Sequence, residues 1–222
     1  MALTDDLVSY WKLDEASGNA TDSHGTNALT NVSAGSVPGK VGNARDFDTG
    51  TYLFIGDNAS LSVGSTDFAI AFWVRFDSLS GLKFVLRKGE EFYIYHNGAS
   101  LVFEALTTGG YAVRTIGTVT TGTWFFVVIW WDNTNGSMCS SLNANAAATT
   151  SLGSTFRDHN GSFVIGNSFN GSVDEMGFWK RVLTSDERTQ LYNGGNGLAY
   201  PFTAASASRL LLLRRRAAMG VM

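Results

Sequence analysis

Gly171-Ser172-Val173-Asp174-Glu175-Met176-Gly177-Phe178-Trp179-Lys180-Arg181-Val182-Leu183-Thr184-Ser185-Asp186-Glu187-Arg188 runs a strand into a helix. Val173 to Trp179 alternates in part, as a strand does. Thr184 with Glu187 three residues on is a capping box, which starts a helix by satisfying its first free N–H groups. Gly194-Gly195 is expected to end that helix, since glycine enters the left-handed region without steric cost. A late strand and one surface helix, in a chain otherwise made of strands and turns, point to a β-sandwich. Asp174 and Glu175 are adjacent, so on a regular strand they face opposite ways.

The rest of the chain fits that frame. Phe68-Ala69-Ile70-Ala71-Phe72-Trp73-Val74-Arg75-Phe76 places Phe68, Ile70, Phe72, Val74 and Phe76 on one face. Trp124-Phe125-Phe126-Val127-Val128-Ile129-Trp130-Trp131 is apolar on both faces and predicts a central strand buried on both sides, its aromatics filling core. Further short strands are expected at 7–13, 83–87, 91–95, 101–106, 111–116, 137–142 and 162–166, with a polar loop over 14–29. Short strands separated by Gly, Asn and Ser turns predict an all-β fold, a two-sheet antiparallel jelly-roll sandwich with one short C-terminal surface helix.

Composition agrees. Of 222 residues, 44% are apolar and only 16% charged, so Ser, Thr, Asn and Gly must cover the surface, as they do in turn-rich sheets. The length suits one sandwich domain, 1–202, followed by an apolar-basic tail, 203–222. The net charge is −3, and setting aside Arg209, Arg214, Arg215 and Arg216 leaves 12 basic against 19 acidic residues, a body of −7. An acidic body argues against nucleic-acid binding. Cys139 is alone, so it forms no internal disulfide and is expected to be a buried small residue. Met1-Ala2-Leu3-Thr4-Asp5-Asp6 lacks the basic and apolar regions of a signal peptide, and no run reaches the length of a membrane span. Cytoplasmic synthesis is therefore expected. The tail, with Leu210 to Leu213 ahead of three arginines, is expected to dock through residues 209–222, either on its own body or on a protein partner or second copy.

One ligand face can be read from periodicity. Tyr93, Tyr95 and Asn97 share one side of their strand, with His96 opposite. Tyrosine faces stack on sugar rings and Asn bonds hydroxyls, with Arg87 and Arg114 as further donors. Alternate aromatics in a sandwich also serve as core, so both readings stand. A catalytic reading is weak. Retaining glycoside hydrolysis needs two carboxylates about 5 Å apart in one cleft, whereas Asp174 and Glu175, like Glu90 and Glu91, are adjacent, and Glu104 is alone. His24, His96 and His159 are scattered, with no nucleophile or zinc pattern beside them.

Five segments in order resemble one family. Leu7-Val8-Ser9-Tyr10-Trp11-Lys12-Leu13-Asp14-Glu15 with Ser17-Gly18, Asp22-Ser23 and Gly25 looks like the first strand and loop of laminin-G-like domains of the concanavalin A-like lectin/glucanase superfamily. Pro38-Gly39-Lys40-Val41-Gly42-Asn43-Ala44 with Phe47-Asp48, Asp67 to Val74, and Gly122-Thr123-Trp124 with Asp132 resemble its middle signatures. Gly171 to Glu175 with Trp179 to Thr184 resembles its closing strand and helix. Two departures stand out: Phe125 and Phe126 follow Trp124 where the family often has His, and Asn143-Ala144-Asn145 replaces the usual Asp-Gly hairpin. The resemblance implies a jelly roll with neighbouring chain ends and a mostly non-catalytic module that binds glycans, proteins or cell surfaces. It also implies a structural calcium, for which Asp14, Asp48 and Asp174, with Asp22 in reserve, are the candidates. The same carboxylates could instead cap loops or pair with Lys and Arg. The expected function is a non-catalytic recognition or adhesion module for a glycan or cell-surface ligand, displayed on a larger assembly. The alternative is a phage virion component, a capsid decoration or tail-associated protein anchored by its tail. An enzyme acting on glycans is the third reading.

Overall fold

The computed structural model describes residues 1–202; the tail, and with it the expected docking segment 209–222, lies outside the described residues. The strands are β1 (Leu7–Trp11), β2 (Thr30–Val32), β3 (Gly35–Pro38), β4 (Asn43–Phe47), β5 (Tyr52–Ile55), β6 (Phe68–Phe76), β7 (Leu82–Lys88), β8 (Phe92–Asn97), β9 (Ser100–Thr107), β10 (Gly110–Thr118), β11 (Trp124–Asp132), β12 (Ser137–Leu142), β13 (Ala148–Ser151), β14 (Phe163–Gly166) and β15 (Gly171–Trp179). One helix, α1 (Ser185–Tyr192), follows. The strands form two antiparallel sheets. One runs β13-β12-β11-β6-β15-β4-β3, with β1 also on β15; the other runs β10-β9-β8-β7-β14-β5-β2. The predicted two-sheet sandwich is the observed one. The short strands β2 to β5 and β13 lie where the sequence shows no clear alternation.

The main core fills the space between the sheets. Phe68, Ile70, Phe72, Val74 and Phe76 of β6 and Phe125, Val127, Ile129 and Trp131 of β11 all enter it. The alternate residues build a second core on the opposite face of the eight-stranded sheet. Ala69, Ala71, Trp73, Phe126, Val128, Trp130 and Trp179 pack there with Leu183 and Leu191, and Tyr192, Leu198, Tyr200 and Phe202 close over them. Leu3 joins the same cluster and accepts the Trp179 indole N–H at 2.7 Å, so the two ends of the described chain meet. Both faces of this sheet are thus covered, as the unbroken apolar run of β11 predicts.

The capping box forms as expected: the Thr184 hydroxyl accepts from Glu187 N, and the Glu187 carboxylate accepts from Thr184 N. The helix ends at Asn193 rather than at the glycine pair, because Asn193 itself takes the left-handed conformation (φ 50°, ψ 48°). Asparagine tolerates that region, and Gly194-Gly195 then turns the chain. The cap contributes about 1 kcal/mol, against about 1.5–3 kcal/mol for each fully buried large apolar side chain. The seam made with Trp73, Trp130, Leu183 and Leu191 is therefore what holds the helix down.

Candidate functional site

Among the described residues, nothing covers the outer face of the seven-stranded sheet in this way. Phe92, Ile94 and His96 of β8 point into the core, while Tyr93 and Tyr95 are half-buried and Asn97 is exposed on the other side. On β10, Tyr111 and Val113 are 57% and 55% exposed, and Leu82 of β7 is 48% exposed, so nothing in the described chain lies over them. The tyrosines are therefore half-buried surface groups and not the core aromatics that alternation in a sandwich favours. A shift of register between Phe84 and Leu86 shapes the neighbouring strand. Residues 84 and 87 are three apart and would face opposite ways on a regular strand. The extra residue of this β-bulge lets Phe84 pair with Tyr95 and Arg87 with Tyr93, both on the outer side.

The result is an aromatic depression of about 280 Å³ lined by Leu82, Phe84, Tyr93, Tyr95, Glu104 and Tyr111. Phe84 sits between the two β8 tyrosines, its ring 5.4 Å from Tyr93 and 5.7 Å from Tyr95. Tyr95 donates its hydroxyl to Glu104 Oε2 at 2.9 Å. Burial first, and then that bond to a carboxylate, push the Tyr95 phenol up to about 12, so it stays a donor across physiological pH. A second, polar depression contains Arg87, Glu90 and His159 and shares Tyr93 as its wall. The arrangement offers flat apolar ring faces, a carboxylate acceptor and an exposed guanidinium donor along one surface, which suits a polar ligand with an apolar face.

Of the five ligand-face residues expected, Tyr93, Tyr95, Asn97 and Arg87 share this side. Arg114 does not. By the same period of two it lies opposite Tyr111 and Val113, and its guanidinium reaches across to the other sheet, donating to Ser140 Oγ at 3.1 Å and Thr150 Oγ1 at 2.5 Å. It ties the edges of the sandwich together. Phe84, Glu104 and Tyr111 were missed. The bulge behind Phe84 has no sequence signature, and Glu104 and Tyr111 become neighbours of Tyr93 only through the β8-β9-β10 register.

The acidic pair of β15 departs from expectation. One extra residue lies between Asp174, opposite Trp73, and Gly177, opposite Ala71, and Glu175 sits there at φ 49°. Val173 and Met176 both point into the main core. The two residues between them therefore share the other side instead of facing opposite ways. Glu175 accepts the Tyr10 hydroxyl at 2.5 Å, and Asp174 Oδ2 accepts the backbone N–H groups of Lys40 and Val41 at 2.7 and 2.9 Å. Asp14 Oδ1 accepts from Asn43 N at 2.9 Å, at the end of the same hairpin loop. A Cβ on Gly39 would come within 2.6 Å of Asp174 Oδ2, and one on Gly42, which has φ 65°, would collide with the Asp14 carboxylate. The glycines of the 38–43 segment thus let the β3–β4 hairpin close around two carboxylates. Burial, and then the neighbouring acids, hold Asp174 up at about 7 and Glu175 at about 8. Their Oδ1 and Oε1 atoms are buried without a partner.

Asp48 is not with them. It follows β4 at the end far from Asn43, about 16 Å along an extended strand, and there it caps its own turn by accepting from Thr49 N at 2.7 Å. Asp22 accepts from the backbone of Tyr10, His24, Gly25 and Asn27. Burial alone would raise its pKa, but these four donors pull it below the usual carboxylate range. The expected trio Asp14, Asp48 and Asp174 is therefore not one cluster. The described residues contain no group of three or more His, Cys, Asp or Glu placed to hold a metal ion. Asp48 and Asp22 cap their own turns, while Asp14 and Asp174 flank the 38–43 hairpin, so the three expected ligands do not meet at one point.

The sequence matches the laminin-G-like family described as "Concanavalin A-like lectin/glucanases superfamily" over residues 47–187, and the chain belongs to that family. No curated protein matches it in sequence. Among solved structures, the binding domain of Paraclostridial Mosquitocidal Protein 1 is similar, with a TM-score of 0.76 at 16% identity over 87% of this chain and 53% of that one. Domain 4 of AbnA, a GH43 extracellular arabinanase from Geobacillus stearothermophilus in complex with arabinotriose, has a TM-score of 0.66 at 17% identity over 83% of this chain and 97% of that one. The botulinum neurotoxin serotype D binding domain has a TM-score of 0.69 at 12% identity over 86% and 52%. The chain spans about half the length of the two toxin domains. Likeness at this identity concerns the fold. No helix among the described residues is long and apolar enough to cross a membrane.

Proposed function

We propose that this chain is a non-catalytic carbohydrate-binding module that takes its ligand on the outer face of the seven-stranded sheet. The observation that carries the proposal is the contrast between the sheets: one is covered on both sides by apolar packing, while the other leaves Tyr93, Tyr95, Tyr111 and Phe84 around an open depression. The arabinotriose complex of a similarly folded domain supports a glycan over other ligands. The buried state of Asp174 and Glu175, 0% and 4% exposed, supports binding without catalysis, because neither carboxyl reaches a cleft. Display on a virion, capsid or cell surface would depend on residues 203–222 and is a separate proposal, tested by deleting that segment and following assembly.

A broad glycan array identifies ligands, and titration then compares variants. Tyr95→Ala removes a stacking face and the donor to Glu104, and is expected to weaken binding by on the order of 30-fold or more, about 2 kcal/mol. Arg114→Ala is expected to leave affinity unchanged while lowering the melting temperature, since that side chain bridges the sheets. No binding across the array, or equal affinity for Tyr95→Ala and the wild type, defeats the proposal.

A further inference from the structure

The aromatic depression has a charge that neutral-sugar stacking does not use. Glu104 lines it among four aromatic rings and one leucine. Its Oε2 accepts from Tyr95, and Glu104 forms no ion pair with any described residue. The aromatic walls cannot neutralise it. Ring faces carry partial negative charge, and the Tyr93 and Tyr95 hydroxyls stay protonated. A carboxylate ringed by aromatic faces is complementary to a cation, through an ion-paired hydrogen bond on one side and cation–π attraction on the others. Arg87 lies across Tyr93 from Glu104 in the row Arg87–Tyr93–Glu104. It repels a cation from the β7 side and so orients the charged end of a ligand toward Glu104.

We infer that this depression selects a ligand bearing an ammonium group, and that on the proposed module the ligand class is a glycan containing a free amino sugar. The sugar ring lies on Tyr93 and Tyr95, and its protonated amine meets Glu104. The inference rests on the glycan-binding reading for the ligand class but on Glu104 alone for the charge.

The test titrates the full chain and Glu104→Gln with glucosamine oligomers, with N-acetylglucosamine oligomers of the same length, and with choline as a small cationic probe. Glutamine keeps an acceptor for the Tyr95 hydroxyl, so an unchanged melting temperature should confirm that the fold is intact. The wild type is expected to bind the free-amine oligomer at least about tenfold more tightly than the acetylated one, to bind choline weakly at the same face, and to lose both preferences in Glu104→Gln. Equal affinity for the two oligomers, or a preference that survives Glu104→Gln, overturns the inference and leaves the glycan reading standing. Choline binding that depends on Glu104, with no binding of any glycan, supports the cation site and overturns the glycan reading. A concentration-dependent dimer dispersed by Tyr111→Arg, with no ligand bound, assigns the face to a second copy of the chain and overturns both.

Discussion

Asp174→Ala is expected to lower the unfolding free energy by about 2–5 kcal/mol, by the same amount in calcium and in chelator. Asp174 Oδ2 is the acceptor for two backbone donors, Lys40 N and Val41 N, in the loop between β3 and β4. Alanine leaves both half-buried donors without a protein partner, at up to about 1–3 kcal/mol each. It also leaves space beneath a loop whose glycines fit closely around the carboxylate. Asp174→Asn retains a carbonyl acceptor and should lose less. Urea unfolding of the three proteins, with and without chelator, measures the effect. A loss that appears only when calcium is present would restore the metal role implied by the family and contradict the hairpin role.

Folding stability is also expected to fall as pH rises from about 4.5 to about 8, because of the same strand. In the folded chain Asp174 and Glu175 titrate near 7 and 8, against ordinary values of 3.8 and 4.5. Below the ordinary values both states hold the protons and the pair adds no slope. Between the ordinary and folded values the folded state holds protons that the unfolded chain has released, so stability declines as pH rises. Above about 8 both states have lost them and the slope ends. His96, buried and held neutral, contributes with the opposite sign, and burial raises Glu91 as well. The useful quantity is therefore the difference between wild type and Glu175→Gln, which keeps an acceptor for the Tyr10 hydroxyl. The variant should be the more stable at pH 8 and should lose much of the slope between pH 5 and 8. Parallel curves for the two proteins would contradict the buried, protonated pair.

The parts of this molecule legible in the sequence are those governed by periodicity. The alternation of β6 and the double-sided run of β11 follow from how a covered sheet is packed, and both occur as expected. The Thr184–Glu187 box is equally local. What escaped are single-residue interruptions. The bulge at Glu175 places Asp174 and Glu175 on one side where strict alternation separates them, and the bulge before Leu86 brings Phe84 and Arg87 to one face. Each inserts one residue, and neither inserted residue is itself a glycine or proline, so period-two reasoning is correct up to the bulge and inverted beyond it. The candidate site was half legible. Tyr93, Tyr95 and Asn97 follow from one strand. Glu104 and Tyr111 come from pairing between strands, and pairing depends on register, which local pattern does not determine. Arg114 shows the converse: its charge suggested a donor, but its parity on β10 sends it to Ser140 and Thr150.

The outer face of the seven-stranded sheet, and not the helix-covered face of its partner, is expected to receive the ligand. NMR titration with the best-bound oligosaccharide tests it most directly, by following aromatic and backbone signals on both sides of the sandwich. Saturable shifts are expected at Tyr93, Tyr95, Glu104 and Tyr111, with Trp73 and Trp130 beneath the helix and Tyr192 at its end unmoved. Shifts confined to the helix side or to the 38–43 hairpin, with the four outer-face residues silent, would contradict it.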